Sequence, residues 1–441
     1  MMKKILLKMM NPIIDDYIIE MFTKEYSKNP YIGITSIQKI GMKNIIDAEL
    51  RAESGKVLSI PYGSNLNLSP WDKLLLNPKQ LFEMPTPNKN DINISVVIGK
   101  KCKKPLKLST PIMITGMSYG GSLSLKMKIA LAKASKLIGT VTNTGESVIA
   151  KEVRKSSKYV IGQISRANLM KDKDLEQLDA IEVRFGQGAW GGAAESTKYS
   201  KDIDEKLRKD WHLKEGEDKK FTARLEGINS KKDLKRLISE LKENYDVPIG
   251  IKIAASDYIE KELEVITSTN CDYIVIDGSE GGTATAPPTL EDNLGLPTLY
   301  ALIRAVDYLQ KNNLYDNYDL IITGGLSTPG HFLKAIAIGA KAVYIGSILV
   351  FVAVHNQAVK PLPYLPPTQL ALGNGELKDD LDINLSTNSL YNFFTSCHEE
   401  MKLALQAMNK KDIKELSRED LVSIDKNISN HTDIKYVLRK E

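Results

Sequence analysis

Three glycine-rich segments in the second half of the chain hold residue types that can bind a phosphate group. They read GSEGGTATAP (278–287), GGLSTPG (324–330) and IGS (345–347), and each closes a short apolar run. Glycine lets backbone N–H groups come close to an anion, and a helix start adds its own N–H groups and dipole. The small residues in these three segments that could contact a phosphate-bearing ligand are Gly281, Gly282, Thr283, Gly324, Gly325, Gly346 and Ser347. Three such segments on successive apolar runs predict a cofactor that carries a phosphate.

Four earlier apolar runs contain or end in a polar side chain that packing does not explain. These residues are Ser118, Asn143, Gln187 and Lys252. Lys252 lies inside IGIKIAA (249–255), where a buried ammonium group must be paired or used. Two interpretations stay open. One is a structural ion pair with a nearby carboxylate, and the other is a charge beside a cofactor that becomes negative during turnover, as reduced flavin does at N1.

A regular alternation of apolar runs and helical patterns must position these residues. The runs lie at 111–121, 139–147, 159–165, 180–192, 249–256, 273–282, 320–330 and 342–350. Helices are predicted between the later runs, at 230–245, 258–269, 297–312 and 329–339.

The alternation predicts an α/β fold. Strands that are apolar throughout and are each followed by a helix pair in parallel, with both faces covered. Eight of them favour a closed (β/α)8 TIM barrel, in which the carboxyl ends of the strands make the active site. An open doubly wound sheet stays as the alternative, although no GxGxxG follows the first run.

The remaining segments flank or interrupt the barrel, which we place at 108–360. Residues 1–107 form an N-terminal extension expected to pack beside it, and 361–441 form a C-terminal helical tail. Within the tail, KKDIKELSREDLVSI (410–424) has the capping residues and charge pairs typical of a surface helix. An insertion at 193–229, between the fourth strand and its helix, is long enough to act as a lid.

Composition excludes several classes of function. The 441 residues carry a net charge of only +5 and no stretch of Lys or Arg interleaved with aromatic residues, which argues against nucleic-acid binding. No run is long enough to span a membrane, and we expect the N-terminus to belong to the fold rather than to a targeting peptide. Cys102, Cys271 and Cys397 lie too far apart in sequence for a CxxC site, so we predict no metal and a reducing, cytoplasmic environment.

Several longer motifs resemble the FMN-binding barrel of the glutamate synthase family. In that family's order, they are MSYGGSLSLKMKIALAKASKLIGTVTNTGE (117–146), GQGAWGG (186–192), GIKIAA (250–255), DGSEGGTATAP (277–287) and GLPTLYALIRA (295–305). NTGE combined with GGTxxxP is more specific than any single glycine loop, and the similarity spans roughly residues 90–360. The resemblance implies a (β/α)8 barrel that holds FMN, with its phosphate near the seventh and eighth strands. It also implies the reduction of a 2-imino acid formed from 2-oxoglutarate and ammonia.

The same resemblance implies roles for individual residues. The flavin ring would be lined by Ser118, Asn143, Gln187 and Lys252. The face of the ring or the ribityl chain would contact Gly281, Gly282 and Thr283. The phosphate would be held by Gly324, Gly325, Gly346 and Ser347. Glu146 matches the family's acid at the substrate face, where it would polarise ammonia or carry a proton. Glu146 and Lys252 are therefore the candidate catalytic residues, although a carboxylate at a helix N-terminus would also explain Glu146.

The sequence departs from the family in three places. The segment after the eighth run, FVAVHNQAVKPLPYLPP (351–367), has no cysteine for the family's iron–sulfur cluster. The first cysteine is Cys102, so an N-terminal glutaminase nucleophile is also missing. Trp190, in GQGAWGGAAES, stands where the family's GQGAKPGEGG has a lysine that meets the oxo-acid carboxylate. We therefore expect the pocket to disfavour a dicarboxylate, unless Arg184 on the same strand supplies the clamp instead of forming a surface salt bridge.

Patterns and resemblance together predict an FMN-dependent oxidoreductase of glutamate synthase type that acts on CH–NH2 donors. Another FMN-barrel reaction, such as diphosphate isomerisation or hydroxy-acid oxidation, and a non-catalytic flavin-binding subunit stay as alternatives. The expected partners are a small amino or 2-oxo acid and an electron donor, either a reduced pyridine nucleotide or a partner protein. Homo-oligomerisation is left open.

Overall fold

The computed structural model describes residues 2–25, 29, 37–38, 41–54, 58–192, 195–284, 286–357 and 367–438. The chain divides into two compact units, Met1–Ser59 and Ile60–Glu441. The first unit contains the helices Met2–Thr23 and Met42–Ser54. No helix within the described ranges combines the length and the apolar character needed to cross a membrane.

Eight parallel strands form a nearly closed barrel in the second unit. They are β1 (Ile112–Ile114), β2 (Val141–Asn143), β3 (Tyr159–Ile164), β4 (Ala180–Arg184), β5 (Ile249–Ala254), β6 (Tyr273–Asp277), β7 (Asp319–Thr323) and β8 (Ala342–Ile345). Neighbours pair in the order β1–β8–β7–β6–β5–β4–β3–β2. A parallel bridge between Gly116 and Asn143 brings β1 beside β2. The predicted (β/α)8 barrel is therefore confirmed, and the alternative of an open doubly wound sheet is wrong.

A helix follows each strand. The helices are α1 (Leu125–Ile138), α2 (Lys151–Ser156), α3 (Asp172–Leu175), α4 (Lys231–Asn244), α5 (Ile259–Thr267), α6 (Thr298–Lys311), α7 (Pro329–Ile338) and α8 (Ser347–Val354). In α1, the Ser124 hydroxyl accepts a hydrogen bond from the N–H of Met127 and so caps the helix. In α4, Leu234, Ile238 and Leu241 form the buried stripe of an otherwise charged helix. Each predicted strand interval overlaps one of the eight strands, although β7 begins one residue before its interval, and the four predicted helices correspond to α4–α7.

The predicted insertion lies between β4 and α4. Ser196–Lys198 and Lys219–Phe221 pair there as an antiparallel hairpin, with the helix Glu205–Asp210 between them. Trp211, directly after that helix, is buried, and its Nε1 donates to the Ser147 hydroxyl at 2.9 Å. Because Ser147 follows β2 closely, this bond fastens the insertion to the loop at the end of β2.

Segments before and after the barrel pair with each other or pack on its helices. Leu74–Leu76 pairs antiparallel with Leu421–Ser423, and Val96–Ile98 pairs antiparallel with Leu106–Leu108. The tail contains α9 (Ile383–Ala407), which packs against α1 and α8.

The surface helix predicted at 410–424 is wrong. Two 3-10 turns and a strand occupy this segment, namely Ile413–Glu415, Arg418–Asp420 and Leu421–Ser423. The carboxylates of Asp412 and Asp420 accept hydrogen bonds from nearby backbone N–H groups. Such local bonds compete with helix formation, and the pairing of the strand with the segment before the barrel holds it extended.

Candidate active site

A cavity of about 1070 Å³ opens at the carboxyl ends of the barrel strands. The residues that the sequence singled out and that line it are Ser118, Glu146, Arg184, Gln187, Trp190, Lys252, Gly281, Gly282, Thr283, Gly324, Gly325, Gly346 and Ser347. Asn143 lies deeper, fully buried at the end of β2. Its Oδ1 accepts from the N–H of Gly145 at 2.9 Å, and its Nδ2 donates to the Tyr344 hydroxyl at 3.4 Å. Parallel strand ends thus bring together residues that are far apart in sequence.

One end of the cavity is lined by backbone at β7 and β8. Gly324 and Gly325 follow β7 with φ angles of +121° and +70°, a region that side-chain-bearing residues rarely adopt. A Cβ on Gly324 would lie 3.0 Å from the backbone N and O of Gly278. Ser347 begins α8, whose first N–H groups have no intrahelical acceptor. Two adjacent strand ends therefore offer the backbone donors that a phosphate requires.

Lys252 forms a buried ion pair in the cavity wall. Its Nζ lies 2.8 Å from Asp277 Oδ2, and the two residues are only 3% and 6% exposed. The structural ion pair was one interpretation of Lys252, and its place in the cavity is compatible with the other. Sequence reasoning missed Asp277, although an acid directly after the apolar residues of β6 was a signal.

A second polar cluster occupies the barrel interior next to Lys252. The carboxylate of Glu182, which is fully buried, accepts from Gln163 Nε2 at 2.5 Å and from the Tyr344 hydroxyl at 3.0 Å. The ring centroid of Tyr344 lies 5.9 Å from Lys252 Nζ. Burial, and then the charge of Glu182, raise the pKa of Tyr344 well above 10, so its hydroxyl stays protonated. Sequence reasoning missed this cluster, whose signal was polar residues inside apolar strands.

Glu146 is held between two arginines in the cavity wall. Its Oε1 lies 2.9 Å from Arg184 Nη1, and its Oε2 lies 3.1 Å from Arg166 Nε. Burial alone would raise the pKa of Glu146, but the charges and hydrogen bonds of Arg184 and Arg166 outweigh it and hold the pKa below its ordinary value. The carboxylate therefore stays ionised at neutral pH, and the cluster carries one surplus positive charge. Arg184 is 8% exposed, so its salt bridge lies inside the cavity wall rather than at the surface.

Trp190 contacts the same cluster. The guanidinium carbon of Arg166 lies 4.6 Å from the ring centroid of Trp190, which is a cation–π distance. Trp190 Nε1 and Gln187 Nε2 both donate to the Thr283 hydroxyl, at 3.1 and 3.2 Å. Sequence reasoning missed Arg166, which directly follows the third apolar run. Arg166 therefore places a cation against Trp190, the residue that the resemblance aligns with the family's lysine, and the preference against a dicarboxylate stays a prediction.

The insertion completes part of the wall. Lys198 and Phe221 of its hairpin, together with Asp202, line the cavity. Burial, more than any neighbouring charge, lowers the pKa of Lys198. Within the described part of the chain, no group of three or more His, Cys, Asp or Glu side chains is arranged to hold a metal ion.

Known proteins are similar to this chain in sequence and in fold. The family model described as the conserved region in glutamate synthase matches residues 69–411. An archaeal-type glutamate synthase (NADPH) of Thermotoga neapolitana is 32% identical over 329 residues, covering 69% of this chain and 64% of that protein. This chain thus spans less than two thirds of that relative's length. A glutamate synthase large subunit-like protein of Rhizobium meliloti is 30% identical over 351 residues, covering 75% of this chain and 78% of that protein.

Among solved structures, the recombinant flavin-binding domain of baker's yeast flavocytochrome b2 has a TM-score of 0.51 to this chain. The identity is 14%, and the match covers 86% of this chain and 88% of that one. At this identity the similarity shows a shared barrel fold.

Proposed function

This chain belongs to the glutamate synthase family, and we propose that it is an FMN-dependent oxidoreductase of glutamate synthase type. The proposed reaction transfers a hydride between FMN and an amino or imino acid that a 2-oxo acid and ammonia form. One observation carries the proposal: a single cavity holds both a glycine-lined anion site and a cluster of Glu146 with two arginines. The first suits a phosphate-bearing cofactor, and the second suits a carboxylate substrate.

The residues of the cavity fit FMN. Backbone N–H groups at Gly324, Gly325 and the start of α8 would hold the phosphate. Lys252, on β5, would lie at the ring, because β5 is separated from the phosphate strands by β6 alone. The volume of about 1070 Å³ is large enough for a flavin and a small acid together. When bound, FMN supplies the hydride chemistry that no amino-acid side chain can provide.

The remaining side chains would bind and orient the substrate. Arg166 and Arg184 would pair with a substrate carboxylate, because Glu146 neutralises only one of their two charges. Glu146, which its low pKa keeps ionised at neutral pH, would accept a hydrogen bond from the substrate nitrogen. Trp190 would hold Arg166 in place through its ring face. These roles favour an anionic 2-oxo acid with ammonia as substrates.

The electron donor in this proposal is a reduced pyridine nucleotide or a partner protein. Cys102, Cys271 and Cys397 are all free thiols. Free thiols are usual in a reducing compartment, so we propose a cytoplasmic location.

The cofactor can be tested on the purified 441-residue chain. We expect a yellow protein with one FMN per chain and no iron by elemental analysis. A colourless protein that cannot be reconstituted with FMN would contradict the proposal.

The substrate can be tested with the same protein under anaerobic conditions. After reduction by NADH, NADPH or dithionite, 2-oxoglutarate and ammonium together should restore the flavin colour faster than either alone. Arg166→Gln should raise the KM for the 2-oxo acid without releasing FMN. Arg236→Gln serves as the control, because Arg236 lies on α4 with a side chain that is 64% exposed. A yellow protein that no 2-oxo acid with ammonium reoxidises would favour another FMN-barrel reaction or a non-catalytic flavin subunit.

A further inference from the structure

The acidic partner of Lys252 determines how much positive charge the cavity presents. Lys252 Nζ and Asp277 Oδ2 are 2.8 Å apart, and both residues are almost fully buried. We propose that Asp277 is a positioning residue that draws the Lys252 ammonium toward the cavity, offsets its charge there, and thereby sets the reduction potential of bound FMN. This inference rests on the proposed FMN site.

The strand register shows why Asp277 positions the lysine. Lys252 on β5 lies opposite Val275 on β6, whereas Asp277 lies opposite Ala254. Asp277 is thus two residues, or about 6.6 Å, closer to the carboxyl end of the barrel than the backbone of Lys252. To reach it, the lysine side chain must extend toward the edge where the cavity opens.

The other charged and polar groups nearby have partners of their own. Glu182 is bonded to Gln163 and Tyr344. One oxygen of Glu280, which also lines the cavity, accepts from the backbone N–H and the hydroxyl of Thr298, both at 2.8 Å. Asp277 Oδ1 and Glu280 Oε1 both have no hydrogen-bond partner among the described residues. Glu280 is still held through its other oxygen, whereas Lys252 is the one described group that holds the Asp277 carboxylate.

Because the ammonium and the carboxylate contact mainly each other, the pair carries almost no net charge. Replacing one member or the other should therefore shift the reduction potential of bound FMN in opposite directions. Reduced FMN carries negative charge near N1, which a neighbouring cation stabilises and a neighbouring anion destabilises. Asp277→Asn removes the negative charge but keeps an oxygen that the ammonium can bond, so the potential should rise. Lys252→Met leaves the carboxylate without its partner, so the potential should fall. The double variant removes both charges and should lie close to the wild type.

The test is the reduction potential of FMN bound to the 441-residue chain, measured by equilibration with redox dyes. For Asp277→Asn we expect the Kd of oxidised FMN divided by the Kd of reduced FMN to increase about tenfold. This change corresponds to a rise in potential of about 30 mV for a two-electron couple. Asp272→Asn is the matched control. Asp272 is at the opposite end of β6, is also ion-paired, with Lys242 at 2.6 Å, and should leave the potential unchanged.

An unchanged or lower potential in Asp277→Asn, or a double variant as low as Lys252→Met, would overturn the inference. Should Asp277→Asn fail to fold, Asp277→Ser keeps a hydroxyl acceptor for the ammonium and must show the same upward shift. Failure of the wild-type chain to bind FMN would instead refute the proposed function. The two failures are therefore distinguishable.

Discussion

Lys128 offers a test of the burial that the barrel imposes on a charged group. It is fully buried in α1, and its Nζ donates to the backbone carbonyl of Asn143 at 2.6 Å. Burial lowers the pKa of Lys128 from 10.5 to about 7. Between these two pH values the unfolded chain binds a proton that the folded chain does not, so the free energy of unfolding should rise with pH.

The size of the effect follows from the two pKa values. One pKa unit corresponds to about 1.4 kcal/mol, so the full cost of burying the charged form at low pH is roughly 5 kcal/mol. About 4 kcal/mol of this cost remains at pH 7 and less than about 1 kcal/mol at pH 10. Lys128→Met removes the cost but loses the hydrogen bond to the Asn143 carbonyl, at roughly 1–3 kcal/mol. The variant should therefore be more stable than the wild type at pH 7 and no more stable at pH 10.

The measurement is urea unfolding of both chains at pH 7, 8, 9 and 10, followed by the fluorescence of the three tryptophans. Lys136→Met, at an exposed position of the same helix, is the control and should show no such pH dependence. A difference between Lys128→Met and the wild type that stays constant from pH 7 to 10 would refute the reasoning.

Three further predictions concern the cavity wall. Glu146→Gln should lower the free energy of unfolding by about 3–5 kcal/mol at pH 7, because it leaves the buried Arg184 and the partly buried Arg166 without their anion. The pKa of Glu146 in the folded chain lies below its ordinary value of 4.5, so the difference in the free energy of unfolding between the variant and the wild type should persist above pH 4.5 and shrink as the pH falls below it. A difference in this free energy that is unchanged at pH 3 would contradict the assignment. Trp190→Ala should raise the KM for the 2-oxo acid while Trp190→Phe, which keeps a ring for the arginine, should not, and equal KM values would exclude the cation–π contact as a support. Gly324→Ala should lower the free energy of unfolding by about 1–3 kcal/mol and weaken FMN binding, because Gly324 has a positive φ. Gly330→Ala, inside α7, is the control and should change neither quantity. Equal FMN affinity in the two variants would show that Gly324 does not belong to the phosphate site.

The sequence by itself determined the order of strands and helices. Apolar runs of the right length followed by helical periodicity are local signals, because burial on both faces of a parallel strand needs apolar side chains throughout. The same locality explains why the glycine segments after β6, β7 and β8 were recognised as cavity surface. A run of glycines at the end of an apolar strand has no side chains to pack, so it indicates from the sequence alone that the backbone approaches a ligand there.

Local signals failed where a distant segment decides the conformation. The charge pattern at 410–424 is that of a helix, yet Leu421–Ser423 pairs with Leu74–Leu76, more than three hundred residues earlier. The backbone hydrogen bonds of a strand come from its partner, and nothing in the segment itself specifies that partner.

Only the tertiary structure decided which charges meet in the cavity. Lys252 was recognised from its apolar surroundings in the sequence, and Glu146 from the resemblance to the glutamate synthase family. Asp277 and Arg166, which set their electrostatics, belong to neighbouring strands or loops of the barrel. Whether the pocket has a cation beside Trp190 likewise depended on Arg166, which lies on a different strand end. The energy of an ion pair depends on distance and burial, and both arise only when the barrel closes and brings the strand ends together.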